Sequence, residues 1–425
     1  FIGFLFCYFG RNSIKNITLF DQVIFIVSSF ILLPLLISIP YFLSIYNISF
    51  LDSYFESVSG FTTTGFSIIR NIEVIDGPLL LWRSSSQWLG GLFFLFITIG
   101  TIGSKQIKIK PAYLVSGGAS GINFYNNFNY NFLKILFIYL FSTFLVIFLY
   151  SLVNIRFFDA FNLAFTTISS GGFISTEKLS SIASSELQIF ILSITLLLPI
   201  FNFFLIHDFI TKKFKFRNHQ EDLHLALFIA LLTLIFYFFI ITEEGFSKVF
   251  LYVCSSISTS GISVYSSNLD FSLFFILLTV VGGSLISTSS GFKYTRFYIL
   301  LKISYQEIYR LVKPINVIDK NLYNADTKIN DEDVKIAFLV FLLFIISIFV
   351  LSSILTLDNL TFENSFKLSI LTLTNTVNSS LYGLNNLTFF DLNILTKLSL
   401  IIFMVLGKVE IVAVLYLIKR FFFKE

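Results

Sequence analysis

Charge is scarce in this chain of 425 residues. Asp, Glu, Lys and Arg make up 13% of it, about half the share in an ordinary soluble domain. So few charges cannot coat a water-facing surface of this size, which excludes a soluble globular class and leaves a polytopic membrane protein. Cysteine is also rare. Cys7 and Cys254 offer neither a disulfide framework nor a thiolate metal cluster. The three histidines, His207, His219 and His224, gather around one junction between apolar runs, and polar residues at a membrane edge account for them better than a metal site. There is no phosphate-cradling glycine loop, no His-Glu-x-x-His pair and no nucleophile constellation, so no enzyme reading arises.

What is present is apolar. Hydrophobic residues make 56% of the chain, with 57 Phe among them. Eight stretches of about twenty residues or more can span a bilayer: 22–46, 79–103, 132–153, 187–210, 223–242, 271–290, 334–357 and 392–418. Residues 1–9 read as the tail of a membrane helix already under way, with a cytoplasmic linker completing 1–21. Within each pair of spans the connection has one grammar. A short amphipathic helix is expected over 52–60, 159–168, 246–257 and 362–374, followed by a polar loop such as "SGFTTTGFS", "ISSGGFIS" or "SISTSGISV". The predicted units are 22–110, 111–217, 218–313 and 334–425, with 314–333 as a cytoplasmic linker. Repetition on this scale suggests units closing around a common axis.

The connections after spans two, four and six are basic. They carry Lys105, Lys108 and Lys110, then Lys212, Lys213, Lys215 and Arg217, then Lys293, Arg296, Lys302, Arg310 and Lys313. Arg11, Lys15, Lys419, Arg420 and Lys424 join them, whereas seven of the 29 basic residues lie with the repeated loops. Positive charge stays inside, so all four loops are expected outside, as the walls of one pore require. Acids such as Asp52, Glu56, Asp159, Glu177, Glu363 and Asp391 share that side, and the expected mouth is an acidic one that concentrates cations. The net charge of +4 therefore reports orientation and gives no reason to expect nucleic-acid binding.

Non-helical Ser/Thr/Gly backbone at membrane depth is tolerable only where it lines a watery cavity or lies buried in protein. A cation shedding water there needs oxygen ligands, which backbone carbonyls and threonine hydroxyls supply. Glycine lets carbonyls face the bore without a Cβ in the path, and small hydroxylated neighbours can bond to the scaffold behind. The narrowest point is placed at Thr62 to Phe66, Ser169 to Phe173 and Thr259 to Ile262. The candidate ion-binding residues are Thr62, Thr63, Thr64 and Gly65; Ser169, Ser170, Gly171 and Gly172; and Ser258, Thr259, Ser260 and Gly261. Ordinary exterior turns are the competing reading, and four such loops on one face count against it. A secondary transporter of inverted repeats would need an odd number of spans per unit. Two spans per unit keep all four alike in orientation, which favours a pore.

With those residues in view, the chain resembles the bacterial Trk/Ktr potassium uptake family, within the superfamily of K+ transporters, and the Trk-type membrane subunit in particular. The resemblance runs from about residue 20 to the end. It is carried by "YFESVSGFTTTGFS" at 54–67, "LLLWRSSSQWLGGL" at 79–92, "GGSLISTSSGFKYTR" at 282–296 and "MVLGKVEI" at 404–411. It implies an all-α polytopic membrane protein with four helix–pore-helix–helix repeats around a central ion pore. It also implies K+ uptake across the inner membrane, with K+ as transported ion and no covalently bound cofactor. The implied filter glycines fall on Gly65, Gly172 and Gly261, with Gly171 as the alternative to Gly172. In the fourth strand the family's Val-Gly-Pro-Gly stretch is replaced by "VNSSLYG" at 377–383. This puts Asn378 in the glycine's place, beside Thr376 and Val377, and opens the question of K+ over Na+. Bringing Gly383 into the filter instead needs a shift of about five residues.

The resemblance also implies a gate where the second helix of the third repeat is interrupted, at Gly282, Gly283, Ser284, Ser287, Thr288, Ser289, Ser290 and Gly291. Glycine and serine are poor at holding one straight helix there, and a kinked helix packed through small residues is the other use for such a stretch. Lys408 matches a family arginine that projects into the pore as an electrostatic barrier. Snorkelling, or pairing with Glu410, is the alternative. Arg83, Gln87 and Trp88 read as scaffold behind the filter, and Trp82 and Trp88 as an interfacial aromatic belt. The implied partners are a second copy of the chain in a homodimer, cytosolic nucleotide-binding regulatory subunits, and the lipid bilayer. A less selective K+/Na+ conductor and a non-conducting regulatory membrane subunit are the alternative functions. No residue decides whether transport is coupled to Na+ or H+.

Overall fold

A computed structural model of the chain describes residues 3, 8, 19–102, 128–211, 219–264, 271–312, 329, 331–358, 360–384, 387–409 and 413–414. Among these residues the regular structure is helical throughout. The first unit comprises α1 (Leu19–Phe42), α2 (Phe50–Phe61) and α3 (Gly77–Ile102). The second comprises α4 (Phe128–Leu152), α5 (Phe157–Ser169) and the pieces α6 (Glu186–Thr195), α7 (Leu197–Ile200) and α8 (Phe203–Ile210). The third holds α9 (Gln220–Ile235), α10 (Phe246–Ile257), α11 (Ser272–Val281) and α12 (Tyr294–Val312). The fourth holds α13 (Asp331–Thr356), α14 (Phe362–Leu373) and α15 (Ile394–Val409).

Two kinds of helix follow from two kinds of sequence. The helices α1, α4 and α13, and α9 with the wide turn at Phe236–Ile240, are long and apolar enough to cross a membrane. Their outward faces stay apolar, as at Phe137, Phe144 and Phe148 on α4, all exposed, which fits a hydrocarbon solvent. The helices α2, α5, α10 and α14 have 12 or 13 residues, about 18–20 Å at 1.5 Å per residue. They are too short to cross, and each buries most of its later turns against the long helices. Ser49 starts α2 by accepting from the Asp52 N–H at 3.2 Å, and Thr361 does the same for α14 from Asn364 at 3.4 Å. Such caps satisfy N–H groups that the first turn leaves open.

Two expected spans are not single helices. The stretch 187–210 bends by 101°. Pro199 brings no N–H to the helix, and Asn202 starts the next one by accepting from Phe204 N at 3.0 Å. The stretch 271–290 is helical only to Val281, and the chain becomes helical again at Tyr294. The two interruptions satisfy each other. Ser284 N donates to Ile200 O at 2.9 Å, Ser289 N to Pro199 O at 3.2 Å, and Phe203 N to Ile286 O at 3.0 Å. The expected basic segments at 105–110, 212–217 and 419–424, with Arg11, Lys15 and Lys313, lie outside the described residues, as do Cys7, Glu410 and most of 1–9 and 314–333.

Candidate functional site

The four short helices end alike, and their ends set a common register. Thr64 N donates to Ser59 O, Gly171 N to Thr166 O, Ser260 N to Ser255 O and Thr376 N to Leu371 O, each at 2.8–3.1 Å. One residue earlier the chain takes a left-handed turn in every case, at Thr63, Ser170, Thr259 and Asn375. One residue later it has positive φ at Gly65, Gly172 and Gly261, a region that L side chains resist. In the fourth strand this register puts Val377 beside the glycines, at ordinary φ. The expectation of Asn378 in that place is thereby corrected. Asn378 aligns with Phe66, Phe173 and Ile262, and its amide donates to Leu384 O at 3.2 Å.

The strands circle one axis in chain order. A Cβ on Gly65 would lie 2.4 Å from Gly171 O, and one on Gly172 would lie 2.1 Å from Ser260 O. One on Gly261 would lie 2.7 Å from Val377 O. The ring closes where Asn375 Nδ2 donates to Thr64 Oγ1 at 2.9 Å and Lys397 Nζ to Asp52 Oδ1 at 2.6 Å. Above the glycines opens a cavity of about 470 Å³. Its charged lining is Arg70, Arg83, Lys178 and Glu177, so among the described residues the mouth is not the acidic one expected. Asp52, Glu56 and Asp391 are engaged by Lys397, Arg83 and Arg70 instead.

On the opposite side of the ring lies the interruption between α11 and α12. Thr288 Oγ1 donates to Ile168 O at 2.7 Å, Ser170 Oγ to Thr288 O at 3.0 Å, and Ser290 N to Thr259 Oγ1 at 3.0 Å. Lys408 completes this layer. Its Nζ donates to Thr63 Oγ1 at 2.7 Å, Ser290 Oγ at 3.0 Å and Thr288 O at 3.3 Å, and it lies 4.5 Å from the Phe94 ring centroid. The ammonium thus sits buried on the axis side, between one strand and the loop.

No family model matches the chain. It is 27% identical over 444 residues to an uncharacterized cation transporter of Methanocaldococcus jannaschii, covering 99% of this chain and 88% of that one. It is also 27% identical over 436 residues to the Trk system potassium uptake protein TrkG of Escherichia coli strain K12, covering 95% and 86%. The solved structure of the potassium transporter TrkH from Vibrio parahaemolyticus shares the fold, with a TM-score of 0.83 over 98% of this chain and 88% of that one, at 22% identity. Along nearly its whole length this chain is similar to Trk-type potassium uptake proteins, and it shares the fold of one of them.

The remaining side chains hold the ring from behind. In three strands the hydroxyls at the first and third positions pair, Thr62 with Thr64 at 2.7 Å, Ser258 with Ser260 at 3.0 Å and Thr374 with Thr376 at 2.9 Å. The second strand has Ser169 and Gly171 there, and Gln87 fills the gap. Its Nε2 donates to Gly171 O at 2.6 Å and its Oε1 accepts from Phe173 N at 3.1 Å. Arg83 donates to Glu56 Oε1 at 2.9 Å and to Ser67 Oγ at 3.0 Å, with its guanidinium carbon 4.1 Å from the Phe173 ring centroid. Glu56 also accepts from Ile68 N at 2.9 Å. Trp88 packs inward against Phe165 at 5.3 Å and donates to Thr143 Oγ1 at 3.0 Å, whereas Trp82 keeps an exposed face.

Lys293 does more than mark orientation, the use the sequence suggested for it. It is buried, and its Nζ donates to Ser289 O at 2.5 Å and to Ser284 O and Ser287 Oγ at 3.3 Å. It clips the loop into its compact form. The only sequence signal was its place directly before a helix start, after Gly291. Asn375 was likewise missed, because its role depends on Thr64 and on Met404 O, which its amide meets at 2.8 Å.

Proposed function

We propose that this chain is the membrane subunit of a potassium uptake system, passing K+ from the cavity side through the four-strand ring toward the cytoplasm of the cell, across the inner membrane. What carries the reading is the ring itself: four strands of one register, three with glycine at the same level, closed around a single axis below a vestibule of about 470 Å³. Carbonyl oxygens in such a ring can replace the water that a monovalent cation sheds. The inside-negative potential, at about 2.3 kcal/mol per charge per 100 mV, then drives accumulation. The loop 282–293 is the gate, and Lys408 its charge. A fixed ammonium bonded to Thr63 and Ser290 disfavours a cation at the foot of the filter, and movement of the loop releases it. The relatives' names support potassium as the ion. A homodimer with cytosolic nucleotide-binding subunits is the assembly the resemblance supports.

The test is uptake of K+, Rb+ and Na+ into proteoliposomes under an inside-negative potential, by the parent chain and by Lys408→Ala. Uptake of K+ or Rb+ above that of protein-free vesicles, in preference to Na+, is expected. Uptake at the protein-free level from both proteins and from the Lys408→Ala/Val377→Gly double variant, with the fold intact, refutes the pore.

A further inference from the structure

At the glycine level one strand departs from the other three. Where three of them have glycine, the fourth has Val377, and its side chain is the group that all three glycines face. A Cβ built on Gly65 would lie 2.9 Å from Val377 Cβ and Cγ2, one on Gly172 2.8 Å from Val377 Cγ1, and one on Gly261 2.6 Å from the same methyl. The directions that converge on the axis from three walls therefore end on one isopropyl group.

We propose that Val377 is an apolar stopper in this filter, closing the glycine ring from the cavity side and setting ion passage separately from the loop and Lys408 below. The inference rests on the pore reading and names the residue that limits it. A partly dehydrated cation at this level needs oxygen, and an isopropyl group offers none. Apolar constrictions also close to ions by shedding water. Valine is poorly suited to swinging aside, because branching at Cβ leaves it few rotamers. The strand cannot readily withdraw either. Thr376 is tied to Leu371 O at 2.9 Å, the Asn378 amide to Leu384 O at 3.2 Å, and Ser380 Oγ to Ser263 Oγ at 3.2 Å. The oxygen ring is not missing, since Val377 O still faces Gly261. The bore is filled rather than dismantled, so removing the side chain opens it.

Two barriers in series make a distinctive pattern. Initial Rb+ uptake into proteoliposomes is compared for the parent, Val377→Gly, Val377→Ala, Val377→Ile, Lys408→Ala and the Lys408→Ala/Val377→Gly double variant, each checked as monodisperse protein. The double variant should exceed Lys408→Ala by about tenfold or more, as expected when an apolar constriction is removed. Val377→Ala should fall between parent and Val377→Gly, and Val377→Ile should not exceed the parent. Uptake by Lys408→Ala that adding Val377→Gly does not raise overturns the stopper and leaves the pore standing. Val377→Ile conducting as well as Val377→Gly also overturns it. No uptake from any of the six proteins overturns stopper and pore together.

Discussion

Gln87 is the side chain on which the second strand depends, and its replacement gives a measurable figure. Gln87→Met keeps the volume in a position buried from solvent while deleting both the donor to Gly171 O and the acceptor for Phe173 N. A buried backbone group left without its partner costs about 1–3 kcal/mol. Phe173 and Gly172 border the vestibule, so water can reach part of this strand, and the lower half of the range applies. The total is about 2–4 kcal/mol. With a shift of roughly 1 °C per kcal/mol in a chain of this size, the midpoint of thermal unfolding should fall by about 2–4 °C. The assay is loss of monodisperse protein on heating in detergent, with Leu89→Ala as control, because Leu89 lies two residues on and faces outward. Because the second strand carries one wall of the ring, the K+/Na+ uptake ratio should fall as well. A midpoint for Gln87→Met within about 0.5 °C of the control, well below the expected shift, would refute the scaffold role.

Further outcomes follow from the same geometry. Glu56→Gln leaves Arg83 buried beside an uncharged amide, and unfolding stability should drop by about 3–5 kcal/mol, read as a large loss of thermal midpoint; a change no greater than that of an exposed control would show the pair to be idle. Gly90→Ala places a Cβ 1.9 Å from Phe61 O, whereas at Gly77 the nearest neighbour is the Phe158 ring at 3.6 Å. The first variant should therefore fail to yield folded protein and Gly77→Ala should match the parent in yield. Lys408→Met removes a buried ammonium that touches Thr63, worth about 4 kcal/mol against a cation 4 Å away at an effective dielectric of 20. Half-maximal thermal stabilisation by Rb+ should shift to a concentration lower by tenfold or more, about 1.4 kcal/mol per factor of ten, and an unchanged concentration would count against the barrier.

The sequence by itself determined where helix is long, where it is short and where it stops. Those features are local: apolar length for α1, α4 and α13, capping residues Ser49 and Thr361 before short helices, and Gly282 to Gly291 where no straight helix holds. Together with the resemblance it placed Gly65 and Gly261 on one level and left Gly171 as the alternative to Gly172, where positive φ marks Gly172. The fourth strand was different. With no glycine to anchor it, its register is set by the bond from Thr376 N to Leu371 O and by the three other strands around it. Only the tertiary structure therefore decided that Val377, not Asn378, faces the axis. The same holds for the bend at Phe201–Asn202, which exists to meet a loop some eighty residues further on and for the acids of the mouth, whose charge is spent on Arg83, Lys397 and Arg70. Local preference is written along the chain, but the partners that cancel a charge or fix a strand come from distant residues, and folding alone brings them together.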